Sequence, residues 1–337
     1  MRRLCYLVLL LIGVHVQAQS NINAILAAGL TDAEHFTNDF LAPFSEGTMH
    51  NISNGWYNSG DAKPLGGFEI AIIANSSSFK NKADKKAFIL NTADYENMQF
   101  VDGSTSKSVS SALGDLEGIM VFVEADIAPG VTARQDFELP SGLAAENINF
   151  IPSAFLQGSV GLIKGTELKA RFLPKIKAED GSLGLYGVGI QHELTQYLPA
   201  RKVLPFAISG VIGYTHLNAS YDFTKSNIID GENQHVDIAM NTWVFQAVVS
   251  TKLPVINFYG GIGYMTGKST TDVLGTYTVT SGPFQQTYTD PFSINKDAKG
   301  VRANIGTKLK LGFFRLHADY TIAAFNSFSV GINFGSR

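Results

Sequence analysis

The sequence predicts an all-β chain: a transmembrane antiparallel β-barrel of about twelve strands, within a range of ten to fourteen, behind a short N-terminal helical plug. Three observations lead there. Apolar and polar residues alternate with a period of two from Gly66 to the C-terminus. Charged residues make up only 16% of the chain, against about a quarter in soluble domains. No run of about twenty apolar residues follows the N-terminal segment, so membrane-spanning helices are not expected.

The N-terminus reads as an export signal. Arg2 and Arg3 precede the apolar stretch Leu4 to Val14, and Val16-Gln17-Ala18 offers a cleavage site after Ala18. The apolar stretch is too short to cross a bilayer as a helix. The only cysteine, Cys5, lies inside this signal, so disulfides, thiol catalysis and cysteine-bound metals are not expected of the mature chain. The net charge of −3 gives no reason to expect nucleic acid as a partner. The division is a signal at 1–18, a helical plug segment at 19–65 and the barrel at 66–337.

Within the plug segment, Asp32 can cap a helix carrying Phe36, Phe40, Leu41 and Phe44 at helical spacing, with Pro43 and Gly47 as its stop. Ile22, Ile25 and Leu26 suit a shorter turn before it. The four-residue stripe has two readings: packing, or the lining of an apolar binding site. Trp56 and Tyr57 suit the membrane interface, where amphipathic rings are favoured.

The strands follow in order, beginning near 66, 86, 116, 153, 165, 182, 203, 235, 255, 299, 313 and 327. The last ones show the pattern best. Val301, Ala303, Ile305, Thr307, Leu309 and Leu311 alternate with Arg302, Asn304, Gly306, Lys308 and Lys310. Tight connections at 164–165, 198–203, 252–255 and Gly312 alternate with longer ones at 76–85, 126–152, 223–235 and 269–298. That asymmetry places the tight set in the periplasm and the long set outside. Backbone in hydrocarbon must be fully paired, so the sheet must close.

Charges on a lipid-facing strand surface are costly, so Glu167, Lys169, Arg171, Arg302, Lys308, Lys310, Arg315, His317 and Asp319 are expected in the lumen. They have two readings. One is a polar conduit whose excess of Lys and Arg suits anionic solutes. The other is a plugged barrel whose charges pair and hold it shut.

Several stretches resemble an uncharacterised family of outer-membrane β-barrel proteins of the Bacteroidetes group. They are Asn54-Gly55-Trp56-Tyr57, Leu65-Gly66-Gly67-Phe68, Gly165-Thr166-Glu167-Leu168, Arg171-Phe172-Leu173-Pro174, Gly187 to Leu194, and Leu204-Pro205-Phe206. The resemblance implies an outer-membrane barrel and brings no activity with it. A looser likeness is to outer-membrane fatty-acid and hydrocarbon transporters, which also carry an N-terminal plug. It lacks the Asn-Pro-Ala signature of that plug, so hydrophobic cargo is implied by architecture alone.

Enzyme chemistry is not expected. His192 and Glu193 are adjacent on a strand and face opposite ways. His317 and Asp319 share a face without a recognisable nucleophile motif. No histidine spacing suits zinc, and Gly187-x-Gly189 and Gly260-Gly261-x-Gly263 lie on strands rather than in phosphate loops. These glycines are expected to allow bends or close approach of the plug. The expectation is therefore a cofactor-free outer-membrane barrel in contact with outer-membrane lipid. It acts as a passive channel or carrier for a small hydrophobic or anionic solute, or as a closed barrel working through its outer loops.

Overall fold

The computed structural model describes residues 25–178, 180–199, 203–223, 231–279 and 286–336; the expected signal peptide and Ile22 lie outside them. One helix, α1 (Leu30–Ile52), leads into β1 (Phe68–Ser78). Five short strands follow: β2 (Ala87–Asn91), β3 (Met98–Phe100), β4 (Ser106–Ser110), β5 (Met120–Ala128) and β6 (Val131–Glu138). Then come β7 (Phe150–Gly161), β8 (Thr166–Ala178), β9 (Gly181–Glu193), β10 (Phe206–Asp222), β11 (Gly231–Thr251) and β12 (Ile256–Thr278). The chain ends with β13 (Thr287–Thr289), β14 (Phe292–Leu311), β15 (Phe314–Ile322) and β16 (Asn326–Ser336).

Ten of these strands close into an antiparallel barrel, ordered β1-β7-β8-β9-β10-β11-β12-β14-β15-β16, with β16 pairing back onto β1. β13 adds a three-residue pairing at the outer end of β12. Closure leaves no barrel edge unpaired, as a hydrocarbon surrounding demands.

Ten is the lower end of the expected range, and the two missing strands are those expected near 86 and 116. They form separate small sheets, β2 with β4 and β3 with β5 and β6. The reason lies in their faces. Val121 and Val123 are buried on one side, while the other carries Glu124, Arg134 and Asp136, with Arg134 lying 3.7 Å over the Phe122 ring. Such a charged face would be expensive against lipid. Leu90, Phe100, Val109 and Phe137 instead form a core with Phe36 of α1, and with Phe223, Val273 and Tyr277 from the barrel wall. Residues 79–149 are thus a cap over the long-loop end of the barrel.

Side-chain alternation assigns the two faces. On β1, Phe68, Ile70 and Ile72 point outward and are exposed, while Glu69, Ala71, Ile73 and Asn75 are buried inside. On β12 the outward apolar row from Ile256 to Tyr264 covers nine residues, about 26 Å along the strand and about 20 Å along an axis tilted by about 40°. Tyr186, Tyr214, Trp243 and Tyr264 crown this belt, and Phe68, Phe258, Phe313 and Phe334 edge its other rim. Beyond the crown the outward residues turn polar, as at Asn218 and Lys268. Two aromatic girdles around an apolar band, on a closed sheet, are the signature of an outer-membrane barrel. No helix among the described residues is long and apolar enough to span a membrane.

The connections are less regular than expected. Two at the outer end, 179–180 and 323–325, are as short as the periplasmic turns. The outer end is distinguished instead by the cap and by long strands: β11, β12 and β14 have 21, 23 and 20 residues, against 11 in β1.

α1 starts at Leu30 behind Gly29, and Asp32 does not cap it. The Asp32 carboxylate accepts the backbone N–H groups of Glu96, Asn97 and Met98 at 2.7–3.0 Å, tying the helix to the cap. Pro43 and Gly47 also fail to stop the helix. A Cβ at Gly47 would press into Ile151 and Phe325, so this glycine lets the helix touch the wall. The packing gained on both sides outweighs the one backbone hydrogen bond lost at Pro43.

The N-terminal end of α1 lies in the cap, and the chain descends the lumen to the periplasmic rim. Thr31 is exposed at the top, and Leu65 is exposed at the bottom. Cys5 apart, the chain has no cysteine, so single-cysteine labelling reads this orientation directly. Thr31→Cys should react with a membrane-impermeant maleimide on intact cells, and Leu65→Cys only after the outer membrane is permeabilised. The opposite result would invert the topology.

Candidate functional site

Inside the belt the lumen is filled by an extended strap, residues 53–65, rather than by the body of the helix. Its aromatic residues sit in sockets cut into the wall. Gly189 and Gly213 leave room for the Trp56 ring, and Gly261 leaves room for the Tyr57 hydroxyl. A Cβ at Gly189 would lie 2.7 Å from the Trp56 ring. Of the glycines in Gly187-x-Gly189 and Gly260-Gly261-x-Gly263, Gly189 and Gly261 serve close approach of the strap, while Gly187, Gly260 and Gly263 abut residues of the wall itself. Trp56 and Tyr57 are buried in the lumen and not at the membrane interface. The glycine-cut wall accommodates the planar Trp56 ring, and Arg171 stacks on it. Tyr57 donates to Asn304 at 2.5 Å, and its oxygen accepts from Gln246 at 3.1 Å.

Above the strap, two guanidinium groups hold the end of α1. Arg171 donates to the Ile52 carbonyl at 2.8 Å, grips Gln157 at 2.9 Å and stacks 3.6 Å from the Trp56 ring. Arg302 donates to the Ser53 carbonyl at 3.2 Å and to Asn54. The last carbonyls of a helix lack intrahelical partners and carry its partial negative charge. Two buried cations at that end are thereby compensated by the helix terminus.

Below, carboxylates of the wall bind cations of wall and strap. Glu69 takes Lys308 at 2.8 Å, Arg315 at 2.9 Å and the Asn58 amide at 2.8 Å. Glu167 takes Lys169 at 2.6 Å and the strap's Lys63 at 2.8 Å. Glu193 takes Lys252 at 3.1 Å and the backbone N–H of Ala62 at 3.3 Å.

All nine residues expected in the lumen face inward. Eight are buried; Lys310 is half-buried at the rim and donates to the Leu253 carbonyl at 3.2 Å. His317 contacts Asn333 at 2.9 Å, and Asp319 accepts from Tyr259 at 3.0 Å. His192 faces outward, against Thr166 and Tyr197. Among the described residues no group of three or more His, Cys, Asp or Glu is placed to hold a metal ion. The sequence reading left out Glu69, Glu193 and Lys63. Glu69 was accessible to it, because Phe68, Ile70 and Ile72 mark the outward face and place it on the other.

The upper half of α1 borders a different space. Phe36, Phe40, Leu41 and Phe44 all line an apolar cavity of about 240 Å³. Leu143 of the cap closes one side, and Tyr221, Val236, Ile238, Val273 and Phe292 of the extended wall close another. Phe36 also packs on Phe40 and Phe88, with ring centroids 5.7 and 5.9 Å apart. The stripe thus both packs and lines a cavity.

A family model, described as a family of unknown function (DUF6588), matches residues 1–336. The chain belongs to this family. Among curated proteins none matches the DUF6588 chain. Solved structures similar to it include the translocator domain of the autotransporter NalP from Neisseria meningitidis, at 12% identity, 85% of this chain, 92% of that one and a TM-score of 0.26. The β domain of the Bordetella autotransporter BrkA matches at 11% identity, 80% of this chain, all of that one and a TM-score of 0.31. A ΔS2S3 mutant of TodX, a monoaromatic hydrocarbon channel, matches at 8% identity, 82% of this chain, 68% of that one and a TM-score of 0.22. What sets the DUF6588 lumen here is its own chemistry: a strap locked by aromatic sockets and ion pairs below an apolar chamber.

Proposed function

We propose that this outer-membrane barrel is a passive carrier that captures a small, uncharged, apolar molecule at its outer end. The observation that carries the reading is the 240 Å³ cavity, whose accessible lining is almost entirely apolar and includes no Asp, Glu, Lys or Arg. Concave apolar chambers of this kind are the default ligand sites of proteins. A charged solute would lose its hydration there without a partner. Passage toward the periplasm requires the strap to move, since it occupies the lumen at membrane depth.

Naphthalene and benzoate, one neutral and one anionic aromatic, test this with detergent-extracted protein. Saturable naphthalene binding should quench intrinsic fluorescence, weaken at least about tenfold in Phe40→Asp, which buries a charge in the chamber, and be absent for benzoate. Non-saturable uptake that is identical in the variant would remove the basis of the proposal.

A second reading is a closed surface barrel working through its outer parts, and the folded cap over the mouth favours it. Under that reading, variants trimmed within 126–152 or 269–298 lose partner binding or envelope integrity while Phe40→Asp does not.

A further inference from the structure

We infer that the periplasmic end of the lumen is a binding site for a small free oxyanion of the phosphate class. A polar cavity of about 60 Å³ lies there between the strap and the wall, lined by Asn58 and Lys63 on one side and Lys169, Gln191, Lys308 and Arg315 on the other. Two of the carboxylates beside it are each shared by two cations: Glu69 by Lys308 and Arg315, and Glu167 by Lys63 and Lys169. Among the described residues around the cavity, Lys252 and Lys310 add to the cations and Asp61 and Glu193 to the anions. Six positive groups then face four negative ones, an excess of two.

An excess of positive charge in a buried setting is costly unless an anion offsets it. A doubly charged oxyanion matches the excess. A cavity of this size suits a small ion. The ammonium groups of Lys63, Lys169 and Lys308 and the Arg315 guanidinium supply donors from several directions, as a tetrahedral acceptor needs. Because the donors come from both strap and wall, the bound ion would also fasten the strap. The site is enclosed by the barrel and faces away from lipid, so the ion is free and not a lipid headgroup. This inference does not rest on the apolar chamber.

Thermal unfolding of the purified full-length protein in phosphate-free buffer tests it. Sodium phosphate should raise Tm saturably at millimolar concentration, and sodium chloride at equal ionic strength should not. Lys310→Gln, at the half-buried rim, should weaken the phosphate response by about tenfold while the barrel still folds and shows heat-modifiable migration. Lys169→Gln should weaken it further. Phosphatidic acid in the micelle should not replace phosphate. Equal responses to phosphate and chloride, or a Lys310→Gln titration matching the wild type, would overturn the site; a response to phosphatidic acid alone would overturn its assignment to a free ion.

Discussion

Glu69→Ala should destabilise the barrel by about 3–5 kcal/mol, the cost of stranding buried charge. One substitution leaves two buried cations, Lys308 and Arg315, without the carboxylate that both contact within 3 Å. It also removes the acceptor of the Asn58 amide, so the strap loses a fastening. Unfolding in urea, followed by the loss of heat-modifiable migration, measures the effect. Glu69→Leu combined with Lys308→Met and Arg315→Met should recover most of the loss, because replacing an entire buried cluster by apolar groups is close to neutral. A loss below about 1 kcal/mol for Glu69→Ala, the range of an exposed pair, would mean that water reaches the cluster.

Trp56→Ala should cost a similar amount, about 3–5 kcal/mol, because a fully buried indole leaves a large cavity. The Arg171 guanidinium also loses the ring on which it stacks, a contribution of about 2 kcal/mol at a desolvated site. The functional result is as informative as the stability. With its anchor gone, the strap should leave the lumen transiently, and planar bilayers should record ionic conductance that the wild type lacks. Gly213→Leu fills the same socket from the wall side and should reproduce the phenotype. The double variant Trp56→Ala, Gly213→Leu should be more stable than the sum of the two losses predicts, since the leucine occupies the vacated space. Strict additivity would separate the glycine from the ring.

Both predictions concern contacts between segments far apart in the chain, and these were the least legible features. The barrel itself was readable because each strand carries its own instruction. Val301 through Leu311 declares which residues meet lipid and which meet the lumen, and the structure follows that parity residue by residue. Glu69 obeys the same parity, so its inward position was available from Phe68, Ile70 and Ile72 alone. The count came out at the low end of its range because of β2 and β5, where alternation was present but its apolar face served the cap instead of lipid. Local pattern reports that a face is apolar, not which apolar partner it meets.

The plug divides in the same way. The Phe36, Phe40, Leu41 and Phe44 spacing announced a helix, while its true end was invisible. Pro43 and Gly47 are stop signals in isolation, and only the contacts of Gly47 with Ile151 and Phe325 and the capping of Ile52 and Ser53 by Arg171 and Arg302 carry the helix past them.

By itself, then, the sequence determined a closed antiparallel outer-membrane barrel with charges turned inward, because period and parity are properties of neighbouring residues. Whether those charges formed a conduit or a lock was left to the tertiary structure. The pairing of Glu69 with Lys308 and Arg315, the seating of Trp56 between two glycines and the apolar chamber over them depend on strap, wall and cap meeting in space. Those meetings bring together residues as far as 275 positions apart, as at Asn58 and Asn333, and no local periodicity encodes them.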